Sequence, residues 1–502
     1  MDEATAMSTV KQLNTFFQPR SVAVVGASKK IIKAGHVIFK NFVDNKRRGV
    51  FKGDLYPVNP HEEYILAFKC LPSLSKIVGS LDLVVIVVPA ENVPQIMSEA
   101  AEKHAKAAVI ISGGFGEVGN QQLEAKVKTI AKEAGIRVLG PNCLGVYDPT
   151  TGVDMLFLPE TKVLTTGDEV VATPRPMSGP IAIVTQSGAF GVAVLDYMAG
   201  EQMGLSKFVS FGNKIDVNET EMLQYLLYDE QTRVILLYAE SIESGREFLE
   251  VAKEVTKCKP IVAIKAGRTD AGARAARSHT GAIAGSDRIY DSVFLQSGVL
   301  RARDMEEFLD AGEALAFQPP AAGNNVAVVT SAGGPAIMAI DECVSRGVNV
   351  NKFSEETIQK FEELKRKGKL PSFATNFNPL DLTGSATTEM FEIGTKILLE
   401  DPEIFGVMVF GLHHSPAMQE DYVDKIINLS RNYFKPVVAC DIGETEMALQ
   451  IRDRFDKQGV PAYSSPEDAS RAMAALTHYG LYLKKNGFLD DYLERFKEKV
   501  RK

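Results

Sequence analysis

The strongest constraint on this chain is a recurring alternation. Short runs of aliphatic and β-branched residues each lead through a turn of small residues into an amphipathic helical segment. Leu83-Val84-Val85-Ile86-Val87-Val88 shows the strand type most clearly. An apolar run of that length is far too short to span a membrane, and being apolar on both faces it fits a parallel strand covered by helices on each side. The same pattern predicts strands over 21–25, 54–58, 107–112 and 137–139, with helices over 93–103 and 121–134 between them. After Asp148-Pro149 a stretch rich in Thr, Pro and Gly, ending near Gly179, reads as a long connection. A second series opens at Pro180-Ile181-Ala182-Ile183-Val184, has strands over 234–238 and 260–264, and closes with a helix over 305–317. Gln318-Pro319-Pro320-Ala321-Ala322-Gly323 reads as a rigid linker. A third series starts at 325–329, with strands over 405–410 and 436–439, and a charged helical tail runs over 489–502. The reading is therefore an α/β protein with units at 1–150, 175–317 and 324–480 and a tail at 481–502.

A length of 502 residues suits several domains of ordinary size. The formal charge of −8 comes from intermixed acids and bases, which argues against an extended nucleic-acid footprint. The start, Met1-Asp2-Glu3-Ala4-Thr5, is acidic and polar and lacks the features of a secretory signal, so a cytoplasmic protein is expected, without a membrane span. Cys70, Cys143, Cys258, Cys343 and Cys440 are scattered and odd in number, which does not suit a disulfide framework. Cys143 sits in Gly140-Pro141-Asn142-Cys143-Leu144-Gly145, a strand-end loop where a nucleophile could lie. With no histidine or acid near it in sequence, packing is the better reading.

Three places share the order strand, small-residue turn, helix: Gly26-Ala27-Ser28, Ser187-Gly188-Ala189 and Ser331-Ala332-Gly333-Gly334. A helix that starts there aims unpaired N–H groups at whatever fills the turn, and anions suit that position. Taken singly, each reads better as an ordinary helix cap or turn. The first lacks the full G-x-G-x-x-G pattern, which disfavours NAD. Lys29, Lys30 and Lys33 beside it suit a phosphate-bearing ligand or simply a solvated helix end. Segments 183–189 and 328–334 are alike, so the second and third units are expected to share an architecture.

Residues 265–285 place His279 among Gly, Ala and Arg residues, an accessible setting for a phosphate carrier with Arg268, Arg274 and Arg277 near in sequence. His36, His61, His104, His413, His414 and His478 take the structural reading given to a lone histidine. An imidazole that attacks phosphorus needs a carboxylate on its other nitrogen. Glu240, just past the strand over 234–238, is the candidate, with Glu243 as the fallback; either could also be a helix-start acid.

These segments together resemble the NDP-forming acyl-CoA synthetases, which include the ADP-forming acetyl-CoA synthetases and succinyl-CoA synthetase. The resemblance rests on residues 19–28, Gly140-Pro141-Asn142-Cys143-Leu144-Gly145, Thr185-Gln186-Ser187-Gly188-Ala189, Ser210-Phe211-Gly212-Asn213-Lys214 and Ser278-His279-Thr280-Gly281. It implies a Rossmann-like CoA-binding domain followed by two flavodoxin-like domains. It implies CoA held at Gly26, Ala27, Ser28, Lys33 and Asn142, and a phosphate gripped by Ser187, Gly188, Ala189, Gly333 and Gly334. Phosphohistidine would form at His279 and be stabilised by Glu240. The third unit, with Asn378-Pro379-Leu380-Asp381-Leu382, looks like the family domain that can reside on either subunit. The family's ATP-grasp module has no counterpart in these residues, which implies a separate β subunit carrying ATP or ADP and Mg²⁺, a hetero-oligomer, and no metal on this chain. The substrates implied are a small carboxylic acid and its acyl-CoA. The rival expectation is a non-catalytic CoA-sensing or acyl-CoA-sensing protein of the same fold.

Overall fold

The computed structural model describes residues 7–275 and 286–499 in full, and residues 3–6, 276–280 and 500–501 only as parts of their helices. The chain divides into two compact units, Met1–Arg301 and Ala302–Lys502.

Among the described residues, unit one holds two large sheets and two small two-stranded hairpins. The first has five parallel strands in the order Asp54–Val58, Ser21–Val25, Leu83–Ile86, Ala107–Ile110, Arg137–Leu139. Alternate residues feed two cores, as the strand repeat requires. Val22, Val24, Leu83 and Val85 pack with Phe16, Phe17, Phe39 and Phe42. Ala23, Val25, Val84 and Ile86 pack with Met97, Ala100, Val127 and Ala131. The second sheet runs Leu300–Arg301, Ile261–Lys265, Val234–Ala239, Ser178–Thr185, Leu205–Ser210, Gly145–Asp148, Val153–Asp154. The ring of Phe17 stacks on Tyr225 at 4.7 Å, tying the two sheets' layers together.

Three elements pack in ways the sequence reading did not give. Strand Gly145–Asp148, placed in the first domain, pairs antiparallel with Leu205–Ser210 and so extends the second sheet. The stretch taken as a plain connection holds an antiparallel hairpin, Thr161–Val163 with Glu169–Val171. Helix Met305–Phe317, taken as the end of the second unit, packs in unit two against Pro466–Lys485. Tyr463 Oη donates to the Asp310 carbonyl there at 2.9 Å.

Unit two carries a five-stranded parallel sheet in the order Leu380–Asp381, Val326–Thr330, Gly406–Gly411, Val437–Asp441, Ala462–Tyr463. Its register repeats that of the second sheet. Thr185 pairs with Tyr238 and Ala239 with Lys265; Thr330 pairs with Phe410 and Gly411 with Asp441. The turns repeat as well. Thr185 Oγ1 donates to the Ser187 carbonyl at 2.9 Å and accepts its N–H at 3.1 Å. Thr330 Oγ1 does the same with Ala332, at 2.9 and 2.8 Å. The expectation of a shared architecture thus holds at the level of single hydrogen bonds. Among the described residues, no helix is long and apolar enough to cross a membrane.

Candidate active site

The first turn is built by close approach. Gly26 has φ +92°, and a Cβ there would lie 2.2 Å from the Val87 carbonyl oxygen, so no other residue fits. Gly35, in helix Ala34–Arg47, brings that helix onto the turn, since its Cβ would fall 2.0 Å from the Gly26 oxygen. Asn59 Nδ2 donates to the Ala27 carbonyl at 2.8 Å, and His36 Nδ1–H to that of Ser28 at 2.8 Å, which gives His36 the structural role expected of it. Exposed Lys33 is the N-cap of the helix and supplies no side-chain cap, so the helix start is of the kind that suits an anion. Asn142 lies on the same C-terminal edge but at the far strand, in the left-handed region at φ 59°. There it meets the second domain: a Cβ at Gly212 would lie 2.2 Å from the Asn142 oxygen. Cys143 is buried, its Sγ donates to the Ile110 carbonyl at 3.3 Å, and burial pushes its thiol up to about 12, as a packing residue requires.

The second turn is tied directly to the candidate glutamate. Ser187 caps helix Gly188–Gly200, its Oγ accepting the Phe190 N–H at 3.2 Å. Next to it, buried Gln186 accepts through Oε1 the backbone N–H groups of Glu240 and of Ser241, the latter at 2.9 Å. Glu240 is 7% exposed, whereas Glu243 is exposed. The two acids therefore differ in burial, and Glu240 is the one at the strand end. Tyr238 stacks on Phe190 at 4.2 Å, and its hydroxyl is pushed up to about 12 by burial, by the Glu240 charge and by a hydrogen bond to that carboxyl. Buried Lys265, one strand over, is held below the usual lysine range by burial, against the opposing pull of Asp287, while Glu240 also favours its charge.

Gly267, at φ 76°, turns the chain into helix Asp270–Thr280, where Thr269 Oγ1 accepts the Gly272 N–H at 3.1 Å. His279 and Arg277 lie outside the described residues. Helix Asp270–Thr280 contacts the turn Gly116–Val118, whose Glu117 carboxylate accepts the Gly114 N–H at 2.5 Å and Asn213 Nδ2 at 2.7 Å. Burial raises that carboxyl, but the donors from Asn213, Gly114 and Phe115 outweigh it and hold it below the usual range.

Gln186, Lys214, Lys265 and Glu117 were not singled out from the sequence. Lys214, in the quoted Ser210–Lys214 segment, is buried, with Nζ 2.9 Å from both Glu219 and the Ser241 carbonyl. In unit two, helix Gly333–Ser345 begins at Ala332 with no side-chain cap. A Cβ at Gly333 would sit 2.8 Å from Asp381 Oδ2, so the glycine admits the neighbouring strand end. The adjacent Ser331 Oγ is buried, with no partner among the described residues.

A close-approach turn at the C-terminal edge of one parallel sheet, followed by two repeated sheets with a strand-turn-helix start in each, is the layout of an acyl-CoA ligase. Family models agree: a CoA binding domain matches residues 20–149, a succinyl-CoA ligase like flavodoxin domain 178–315, and a ligase-CoA domain 326–479. An ADP-forming acetate–CoA ligase I α subunit of Pyrococcus furiosus is 38% identical, covering 92% of this chain and 97% of its own. An ADP-forming acetate–CoA ligase of Methanocaldococcus jannaschii is 37% identical over 97% of this chain, which spans 66% of that longer protein. The structure of an acetyl-coenzyme A synthetase 1 from Ca. Korarchaeum cryptofilum, in complex with phosphate and ADP, superposes with a TM-score of 0.84 at 35% identity, covering 94% of this chain and 98% of that one. The chain belongs to the NDP-forming acyl-CoA synthetase family and corresponds in extent to its separate α subunits.

Proposed function

We propose that this chain is the CoA-binding, phosphohistidine-carrying subunit of a cytoplasmic, ADP-forming acyl-CoA synthetase that works with a separate ATP-grasp β subunit. Acyl-CoA and phosphate give acyl phosphate and CoA. The phosphoryl group then passes to a ring nitrogen of His279, releasing the carboxylic acid, and from His279 to ADP, with Mg²⁺, on the partner. Acyl phosphate and phosphohistidine are both high-energy, so the relay is reversible.

The observation that carries this reading is the Gln186 carboxamide, which holds the Ser187-Gly188 phosphate turn and the Glu240 strand end as one piece. On the next strand, Lys265 leads into the segment that carries His279. CoA fits the first domain because Gly26 and Gly35 admit close backbone approach and Lys33 flanks the helix start. In this reading Gly333 and Gly334 supply the second helix start to the same phosphate, and Asn142 contacts CoA from the far strand. The free thiols of all five cysteines suit a reducing compartment.

Incubation with the β subunit, labelled ATP and Mg²⁺ tests the reading. Acid-labile, base-stable label on the wild type, absent from His279→Ala, is the expected result. Full label on His279→Ala overturns it. A CoA sensor would bind CoA and give neither label nor turnover.

A further inference from the structure

The sheet repeat places Asp441-Ile442-Gly443-Glu444-Thr445 of unit two where unit one has Lys265-Ala266-Gly267-Arg268-Thr269. Both glycines have positive φ and both threonines cap the helix that follows, but the charges are reversed. Where unit one has Ser241, unit two has His413. His413 Nδ1 meets the buried Asp441 Oδ1, and its Nε2 lies 3.0 Å from Thr445 Oγ1. The carboxylate accepts the Nδ1–H hydrogen bond, so the proton stays on Nδ1 and Nε2 is left as the acceptor for the Thr445 hydroxyl.

We propose that Thr445, His413 and Asp441 form a second catalytic site, an acyl-transfer triad that hydrolyses activated acyl compounds, thioesters and esters. The order hydroxyl, imidazole, buried carboxylate is the arrangement that activates an oxygen nucleophile. Three further features support it. Thr445 is exposed, so its oxygen is reachable. Arg452 Nη1 donates to the carbonyls of Asp441 at 2.9 Å and Gly443 at 2.6 Å, fixing the loop, and Tyr422 Oη donates to Asp441 Oδ2 at 3.4 Å. Helix Glu446–Lys457 starts at the nucleophile, and its first N–H groups, those of Glu446 and Met447, have no intrahelical acceptor and are placed to receive an oxyanion.

In the first step Thr445 Oγ attacks the thioester carbonyl and its proton moves to His413 Nε2. The tetrahedral oxyanion collapses, the thiolate leaves and takes that proton from Nε2. Water, deprotonated by Nε2, then attacks the acyl-threonine ester, releasing the carboxylic acid and restoring the hydroxyl. The net reaction is thioester plus water to acid plus thiol. Glu446 follows the nucleophile directly, while the Glu444 charge is offset by Arg452 Nη2 at 3.2 Å, so the Glu446 carboxylate should favour an uncharged acyl group over one ending in a carboxylate.

The test uses the full chain without β subunit, ADP or phosphate, where the ligase reaction cannot proceed. p-Nitrophenyl acetate and acetyl-CoA should be hydrolysed faster than succinyl-CoA, and a fluorophosphonate probe should label Thr445 by peptide mass spectrometry. Thr445→Val and His413→Gln should each lose about 100-fold or more in rate. Thr445→Ser, which keeps both cap and nucleophile, should retain activity and label. Absence of hydrolysis by the wild type, a wild-type rate in folded His413→Gln, or label on another residue overturns the proposal.

Discussion

Gln186 and Ser241 are joined by a 2.9 Å hydrogen bond from the Ser241 N–H to the Gln186 side-chain oxygen, which also receives the N–H of Glu240. The turn before one helix and the end of the neighbouring strand are thus held by a single buried side chain. Gln186→Leu leaves two N–H groups without that acceptor and frees the Glu240 strand end. A buried donor left unsatisfied costs about 1–3 kcal/mol. Phosphorylation of His279 by β subunit and ATP should slow by about 10-fold or more, with CoA affinity unchanged, read by quenched-flow labelling beside calorimetry.

Glu240→Gln keeps shape and removes charge. The variant should form phosphohistidine more slowly than wild type, while Glu243→Gln, on an exposed side chain, should match wild type. The reverse pattern would assign the carboxylate role to Glu243. Labelling rates of the two variants decide it.

At Gly26 the constraint is steric. A methyl group would stand 2.2 Å from the Val87 carbonyl at φ +92°, so Gly26→Ala must shift the turn against Ala34–Arg47. CoA binding by the full chain, followed calorimetrically, should weaken by about 10-fold or more, with circular dichroism confirming the fold.

The strands, the three small-residue turns and the strand-end position of Glu240 were legible because each is local: an apolar run, a Ser/Gly cluster, an acid at a strand's end. What escaped was set by distant partners. Gly145–Asp148 reads as the close of one domain, and only its pairing with Leu205–Ser210 makes it part of the next. Helix Met305–Phe317 has an apolar face that two neighbours could cover, and its partner is Pro466–Lys485. Gln186 looks like a polar spacer until Glu240 and Ser241 are folded onto it. His413 took the default reading because Asp441 lies 28 residues away in sequence.

Lys214 and Glu219 form a buried ion pair at 2.9 Å beneath Ser241. Lys214→Met strands the Glu219 carboxylate and should cost about 3–5 kcal/mol of stability in urea unfolding. Adding Glu219→Gln should recover part of the loss, because no uncompensated charge is then buried.

Asp310 gives a stability prediction with a defined sign. Burial first, then the charges of Asp468 and Glu313, push its carboxyl up to about 9 from an ordinary 3.8. Its Oδ2 has no hydrogen-bond partner among the described residues. Because the folded value exceeds the unfolded one, the folded state holds the proton more tightly. The associated stability is complete below the unfolded value of 3.8 and is lost as pH rises toward about 9. Asp310→Asn cannot titrate and resembles the protonated acid in shape. It should therefore match wild type near pH 4 and exceed it by a few kcal/mol, roughly, near pH 8. Chemical denaturation of both proteins across that range checks the slope, and a pH-independent difference would mean that Asp310 stays ionised in the fold.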